Sequence, residues 1–177
     1  MKLSVRQLAF CAILAALYCA LTLAVAVAGI AYGPVQFRIS EVLCILPFFA
    51  PWTVWGLYVG CILSNLFTSA NFLLDVVFGS LATLLAGLCT AYFGRAYRRR
   101  GVFSWYNRIL ACLMPVLWNA AVVGAILAIS IPLASGFWMS FLIFAAQVGA
   151  GEAAVMFILG LPAMSFLPRT PIIKFLK

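Results

Sequence analysis

Apolar residues run almost without interruption along this chain, and the few polar breaks between the runs mark out its elements. The first run covers residues 5–30. A polar segment, Tyr-Gly-Pro-Val-Gln-Phe-Arg-Ile-Ser-Glu, follows over residues 32–41. Apolar sequence resumes over 42–67 but carries Pro47 and Pro51, and later runs cover 73–93, 106–131 and 137–166. A basic stretch at 95–101 and Pro-Leu-Ala-Ser-Gly at 132–136 separate the last three. A helix needs about 20 apolar residues to cross a hydrocarbon layer about 30 Å thick, so most of these runs have spanning length. Proline interrupts a helix, so 42–67 is either one kinked helix or two helices turned at Pro47-Phe-Phe-Ala-Pro51.

Charge parity chooses between those two forms. Lys and Arg collect on the cytoplasmic flanks of membrane spans. With a hairpin at 42–67, the N-terminus, residues 95–108 and the C-terminal tail share one side. That side then holds Lys2, Arg6, Arg95, Arg98, Arg99, Arg100, Arg108, Arg169, Lys174 and Lys177, ten of eleven basic residues, and leaves only Arg38 opposite. A single span there would translocate Arg95–Arg108 and abolish the asymmetry. The expectation is an all-α integral membrane protein of six transmembrane helices, at 5–30, 40–50, 52–67, 73–93, 106–131 and 137–166. It forms one domain over 1–177, multi-pass in the cell membrane with both termini cytoplasmic.

Composition agrees and narrows the function. Of 177 residues, 67% are hydrophobic and 8% charged, with a mean hydropathy of +1.21. A soluble domain is roughly half apolar and a quarter charged, so the bilayer is the expected surrounding. The net charge of +8 follows the membrane edges rather than a nucleic-acid footprint. The N-terminal run is too long for a signal sequence and lacks a cleavage site before Tyr32, so it reads as a retained span. Cys11, Cys19, Cys44, Cys61, Cys89 and Cys112 fall in apolar runs without a paired spacing, and the chain has no histidine, so neither a disulfide frame, a metal site nor a cofactor is expected. A catalytic Ser/His or Cys/His set is impossible, and no phosphate-binding loop occurs. The chain reads as a transporter component rather than an enzyme.

Only three acids occur, Glu41, Asp75 and Glu152. A charge near the bilayer centre costs about 2.5–3.5 kcal/mol on insertion scales, so it persists where it has a partner or a task. Glu152 falls midway along the last span and is expected to face the bundle interior. Arg38 and Glu41 are three apart, close enough to pair on a helix starting near Ile39. Asp75 opens the fourth span, where it either caps the helix or serves a site. The six-span layout puts Arg38, Glu41, Asn65, Asn71 and Asp75 near the outer ends, with Asn119, Gln147 and Glu152 deeper. Tyr32, Gln36, Trp118 and Trp138 add aromatic faces and an amide. Trp52, Trp105 and Trp138 also suit an interfacial belt. A cavity open to the outside and lined by carboxylates, amides and rings suits a planar, nitrogen-rich solute. Ala12, Ala16 and Ala20 form a small-residue stripe that permits close helix approach, as do Gly79–Thr83–Gly87–Ala91 and Ala145–Gly149–Ala153.

The segment over residues 32–41 with the following Val-Leu-Cys-Ile-Leu-Pro-Phe-Phe resembles the QueT family, as does Asp-Val-Val-Phe-Gly-Ser-Leu-Ala-Thr-Leu-Leu at 75–85. These are queuosine-precursor transporters, substrate-binding (S) components of energy-coupling factor (ECF) importers. The resemblance implies a six-helix S-component fold that binds solute from outside. It implies docking, through the alanine-rich first helix at Ala12, Ala16 and Ala20, on an ECF module of one transmembrane coupling protein and two ATPases. The implied ligand is a 7-deazaguanine: the 7-aminomethyl precursor preQ1, the 7-cyano precursor preQ0, or queuine. A carboxylate reading the guanine-like N–H edge fits, and an acid can also hold an aminomethyl cation. The rival expectation is a stand-alone secondary transporter of another small nitrogenous solute or vitamin, although the broken-helix repeats common in such folds are not evident.

Overall fold

The computed structural model describes residues 3–27, 37–68, 72–131, 133–134 and 136–176, and the described residues contain helices and no strand. Four helices are long and apolar enough to cross a membrane: α1 (Val5–Val27), α4 (Asp75–Arg100), α5 (Trp105–Ser130) and α6 (Phe137–Arg169). Two shorter apolar helices, α2 (Ile39–Phe49) and α3 (Val54–Thr68), lie between α1 and α4. A last turn, α7, covers Ile173–Leu176. In hydrocarbon every backbone N–H and C=O must find an internal partner, which is why an apolar chain of this kind resolves into helices.

Residues 42–67 are two helices rather than one. Ala50 takes an extended conformation (φ −137°, ψ 98°) between Phe49 and Pro51, and the chain re-enters helix through a 3₁₀ turn at Pro51–Thr53. Arg98 near the end of α4 donates to the carbonyls of Phe48 at 2.6 Å and Pro47 at 3.3 Å. Asn65 near the end of α3 instead donates to the backbone carbonyl of Asp75 at 2.9 Å, at the opposite end of α4. So α2 runs toward the arginine-rich end of the bundle and α3 runs back. The first seven residues of α2 wind as a 3₁₀ helix, and at about 1.5–2 Å per residue the whole element is roughly 20 Å long. A cavity of about 560 Å³ at the arginine-rich end is lined by Gln7, Trp52, Arg98, Gly101 and Leu176. The start of α1, the α2–α3 turn, the end of α4 and α7 therefore meet there.

The stretch expected as a basic loop is helical through Arg100. Arginine is a good helix former, and Arg98 holds the extension in place through a third bond, to the carbonyl of Ala91 at 2.7 Å.

Small residues set the closest helix contact. A Cβ on Gly56 would lie 2.8 Å from the carbonyl oxygen of Cys11, and one on Gly60 would lie 2.9 Å from that of Ala15 and from the Cβ of Tyr18. The Gly56-x-x-x-Gly60 spacing thus brings α3 against the Cys11–Ala15–Tyr18 face of α1, as small-residue pairs do in membrane helices. Ala12, Ala16 and Ala20 lie on another face and are exposed. The stripe is not what packs α1 into the bundle. The other two ladders do pack internally: Gly79, Thr83, Gly87 and Ala91 are buried, and Gly124 of α5 sits against Ala145 of α6.

Candidate functional site

The buried polar side chains gather where α1, α2, α3, α5 and α6 face one another. Exposure there is almost nil, with Glu41 at 0%, Asn65, Asn119 and Glu152 at 1% and Arg38 at 5%. These side chains form a closely packed polar cluster. Closure removes competing water and strengthens each electrostatic interaction inside.

Glu41, on the 3₁₀ turn of α2, is held from both sides. The Tyr18 hydroxyl of α1 donates to its Oε1, and the Cys44 thiol, three residues on, donates to its Oε2 at 3.0 Å. Thr22, one turn along α1, donates to the Tyr18 carbonyl at 2.9 Å and accepts from the Ser40 hydroxyl at 2.8 Å. Arg38, the residue before α2, exerts its positive charge on Tyr18, Glu41 and Glu152 together. The simple Arg38–Glu41 pair expected from their spacing is thus a shared arrangement. The bonds to Glu41 come from Tyr18 and Cys44, while the Arg38 Nε is buried without a hydrogen-bond partner.

Glu152 occupies the inward face of α6, just before a π-helical turn at Val155–Gly160. Such wide turns are frequent at functional sites. Asn119 of α5 donates from Nδ2 to Glu152 Oε1 at 3.0 Å. Among the described residues Glu152 Oε2 and Asn119 Oδ1 have no partner, nor has Oε1 of Gln147, five residues earlier on α6. Among the described residues six side-chain atoms are buried and unmatched: these three acceptors, Arg38 Nε, Ser80 Oγ and Arg108 Nε. Each such group normally costs about 1–3 kcal/mol, and native interiors rarely tolerate several together without a reason.

The remaining expected residues divide. Asn65 supports the start of α4 through the Asp75 carbonyl and lies 3.5 Å from the Cys61 sulfur. Asp75 is half-buried at the head of a π-helical turn, Asp75–Gly79. Trp118 is half-buried beside Asn119 in sequence. Trp138 is 75% exposed, its ring edge-on to Phe137, and is not gathered with the acids, as suits an interfacial aromatic. Tyr32, Gln36 and Asn71 lie outside the described residues. Sequence reasoning missed Tyr18, Cys44, Cys61 and Thr83. Thr83 donates to the Cys61 sulfur at 3.3 Å, so α3 and α4 join the network through neutral side chains. The signals in the chain are the four-residue spacing of Tyr18 and Thr22 and the three-residue spacing of Glu41 and Cys44, each of which puts both residues on one helix face.

Such a cluster can bind and enclose a polar solute. Unmatched acceptors on α5 and α6 face a demand for N–H donors, and the arginine supplies a donor for an oxygen. Among the described residues no group of His, Cys, Asp or Glu has metal-ligand geometry.

Comparison with known proteins agrees with this character. Residues 8–169 match the model of the family described as QueT transporter. Over 74 residues the chain is 43% identical to the queuosine precursor transporter QueT of Lactococcus lactis subsp. cremoris (strain MG1363). That stretch is 42% of this chain and 43% of the relative, so the match spans less than half of the relative's length. No solved structure matches. With a family match over nearly its whole length, on a multi-pass helical membrane framework, the chain belongs to the QueT transporter family.

Proposed function

We propose that this protein is the substrate-binding subunit of an ATP-driven ECF importer that takes up a queuosine precursor of the 7-deazaguanine class. The observation that carries the reading is the set of buried unmatched atoms, Glu152 Oε2, Asn119 Oδ1, Gln147 Oε1 and Arg38 Nε. A guanine-like edge presents N–H donors from its ring nitrogen and exocyclic amine beside a carbonyl acceptor. Its donors answer the carboxylate and amide oxygens, and its carbonyl answers the guanidinium. The name of the Lactococcus relative, a queuosine precursor transporter, supports the same ligand class.

Six membrane crossings with both ends cytoplasmic belong to this proposal. The antiparallel course of α2 and α3 supports it, because six crossings assign ten of the eleven basic residues of the sequence to one side. Docking on the coupling protein is assigned to Ala12, Ala16 and Ala20, whose exposure on α1 supports that role. The missing phosphate loop fits ATP use by partner subunits.

The test is calorimetric binding of purified protein to preQ1, preQ0, queuine, guanine and a set of vitamins. Binding of one or more deazaguanines with no binding of vitamins is expected. Binding of a vitamin in preference to every deazaguanine overturns the ligand assignment. Uptake by the chain alone, without ATPase subunits, overturns the ECF assignment.

A further inference from the structure

A second feature of the molecule lies apart from the polar cluster. A cavity of about 350 Å³ opens along the side of the bundle, lined by Phe10, Ile13 and Leu17 of α1, Leu43 of α2, and Leu167 and Ile172 near the C-terminus. Its lining is apolar and it faces outward, with Ile13 68% and Leu17 47% exposed. At 3.6 residues per turn, α1 presents three separate faces. Cys11, Ala15 and Tyr18 pack inward on α3, Ala12, Ala16 and Ala20 form the exposed stripe, and Phe10, Ile13 and Leu17 line the cavity. The cavity is thus about a third of a turn away from the stripe.

Charge at one mouth of the cavity names the occupant. Arg6 precedes Phe10 by one helical turn, and its guanidinium lies 5.0 Å from the centre of the Phe175 ring, three residues beyond Ile172. Arg169 follows Leu167 by two residues and Lys174 follows Ile172 by two. All three cations are exposed. None of the chain's three acids sits among them: Glu41 and Glu152 are fully buried in the polar cluster, and Asp75 heads α4 at the opposite end. A greasy groove open to the side of a membrane protein, with cations at its head and no acid to offset them, has the chemistry of an anionic phospholipid. One acyl chain lies along the apolar wall and the phosphate meets the basic residues.

We infer that the groove between α1, α2 and the C-terminal segment is a binding site for an anionic phospholipid, separate from the solute site. The lipid then forms a wall on the flank of α1 that neither α3 nor the alanine stripe occupies, and it ties the C-terminal turn to the first helix.

The experiment is native mass spectrometry of delipidated full-length protein mixed with equal amounts of phosphatidylglycerol and phosphatidylcholine. Wild type is expected to retain phosphatidylglycerol in preference to phosphatidylcholine. Ile13→Trp, which fills the groove from an exposed position, is expected to lose that retained lipid. The combined Arg6→Gln, Arg169→Gln and Lys174→Gln variant is expected to lose the preference between the two lipids. Equal retention of both lipids by wild type overturns the proposal, as does an Ile13→Trp protein that keeps its phosphatidylglycerol. If Ile13→Trp keeps the lipid but no longer assembles with partner subunits, the groove is a protein-docking face and the lipid site is wrong. Melting temperature controls for folding, and should Ile13→Trp fail to fold, the charge variant on three exposed residues decides the matter alone. A lipid result of either sign leaves deazaguanine binding at the polar cluster unaffected, so the two proposals fail separately.

Discussion

Asn119 donates from its Nδ2 to Oε1 of Glu152 at 3.0 Å, and among the described residues Asn119 Oδ1 and Glu152 Oε2 are buried without a partner. The pair joins α5 to α6 and leaves one acceptor on each helix unmatched. One contact thus orients the carboxylate while keeping half of it available.

Glu152→Gln is expected to weaken deazaguanine binding by about 1.5–3 kcal/mol, the usual worth of a hydrogen bond to a charged group. The amide oxygen still accepts from Asn119, so the ligand-free melting temperature should hold. Calorimetry and thermal unfolding of the variant check both halves. Unchanged affinity would mean that the carboxylate serves only to join α5 and α6.

Glu41 should behave differently, because its two oxygens are already occupied by Tyr18 and Cys44. Glu41→Ala leaves both donors buried and unpaired and also removes one of the negative charges that face Arg38. A loss of stability of about 1–3 kcal/mol per orphaned group is expected, seen as a lower melting temperature without ligand. Glu41→Gln keeps an acceptor and should recover part of it. A Glu41→Ala protein as stable as wild type would show that this network contributes little to the fold.

The two small-residue sets on α1 and α3 predict opposite phenotypes. Ala16→Trp, on the exposed stripe, should leave folding and ligand binding intact while abolishing uptake by the assembled importer. Gly60→Leu drives a side chain into backbone and the Cβ of Tyr18 at 2.9 Å. Overpacking there should cost at least about 1–3 kcal/mol of stability. Thermal melts and uptake assays on the two variants separate the cases. Uptake at wild-type level by Ala16→Trp would remove the stripe from the docking surface.

Topology is open to direct measurement. Reporter fusions after Gly101 and Lys177 are expected to report the cytoplasm, and one at Gly136 the outside, from the distribution of basic residues. An external signal at Gly101 is incompatible with six crossings.

The apolar runs and their rare acids were enough to establish a helical membrane protein and to single out Glu41 and Glu152 as buried acids. Those conclusions rest on local rules. Backbone in lipid must satisfy itself, and charge in lipid needs a purpose, so both leave marks in the order of residues. Facing is another matter. In a soluble helix the polar side marks the solvent, but here the lipid-facing and core-facing sides are both apolar, and periodicity carries little information about which is which. Only the packed structure decided that the alanine stripe points outward while Gly56 and Gly60 make the close contact. It also decided that the break after Phe49 reverses the chain, because Arg98, fifty residues away, takes the carbonyl that the break exposes. Tyr18 joins Glu41, and Asn119 joins Glu152, across helices that share no sequence pattern. Nothing local marks a tyrosine in an apolar run as the partner of an acid; its burial beside that acid does.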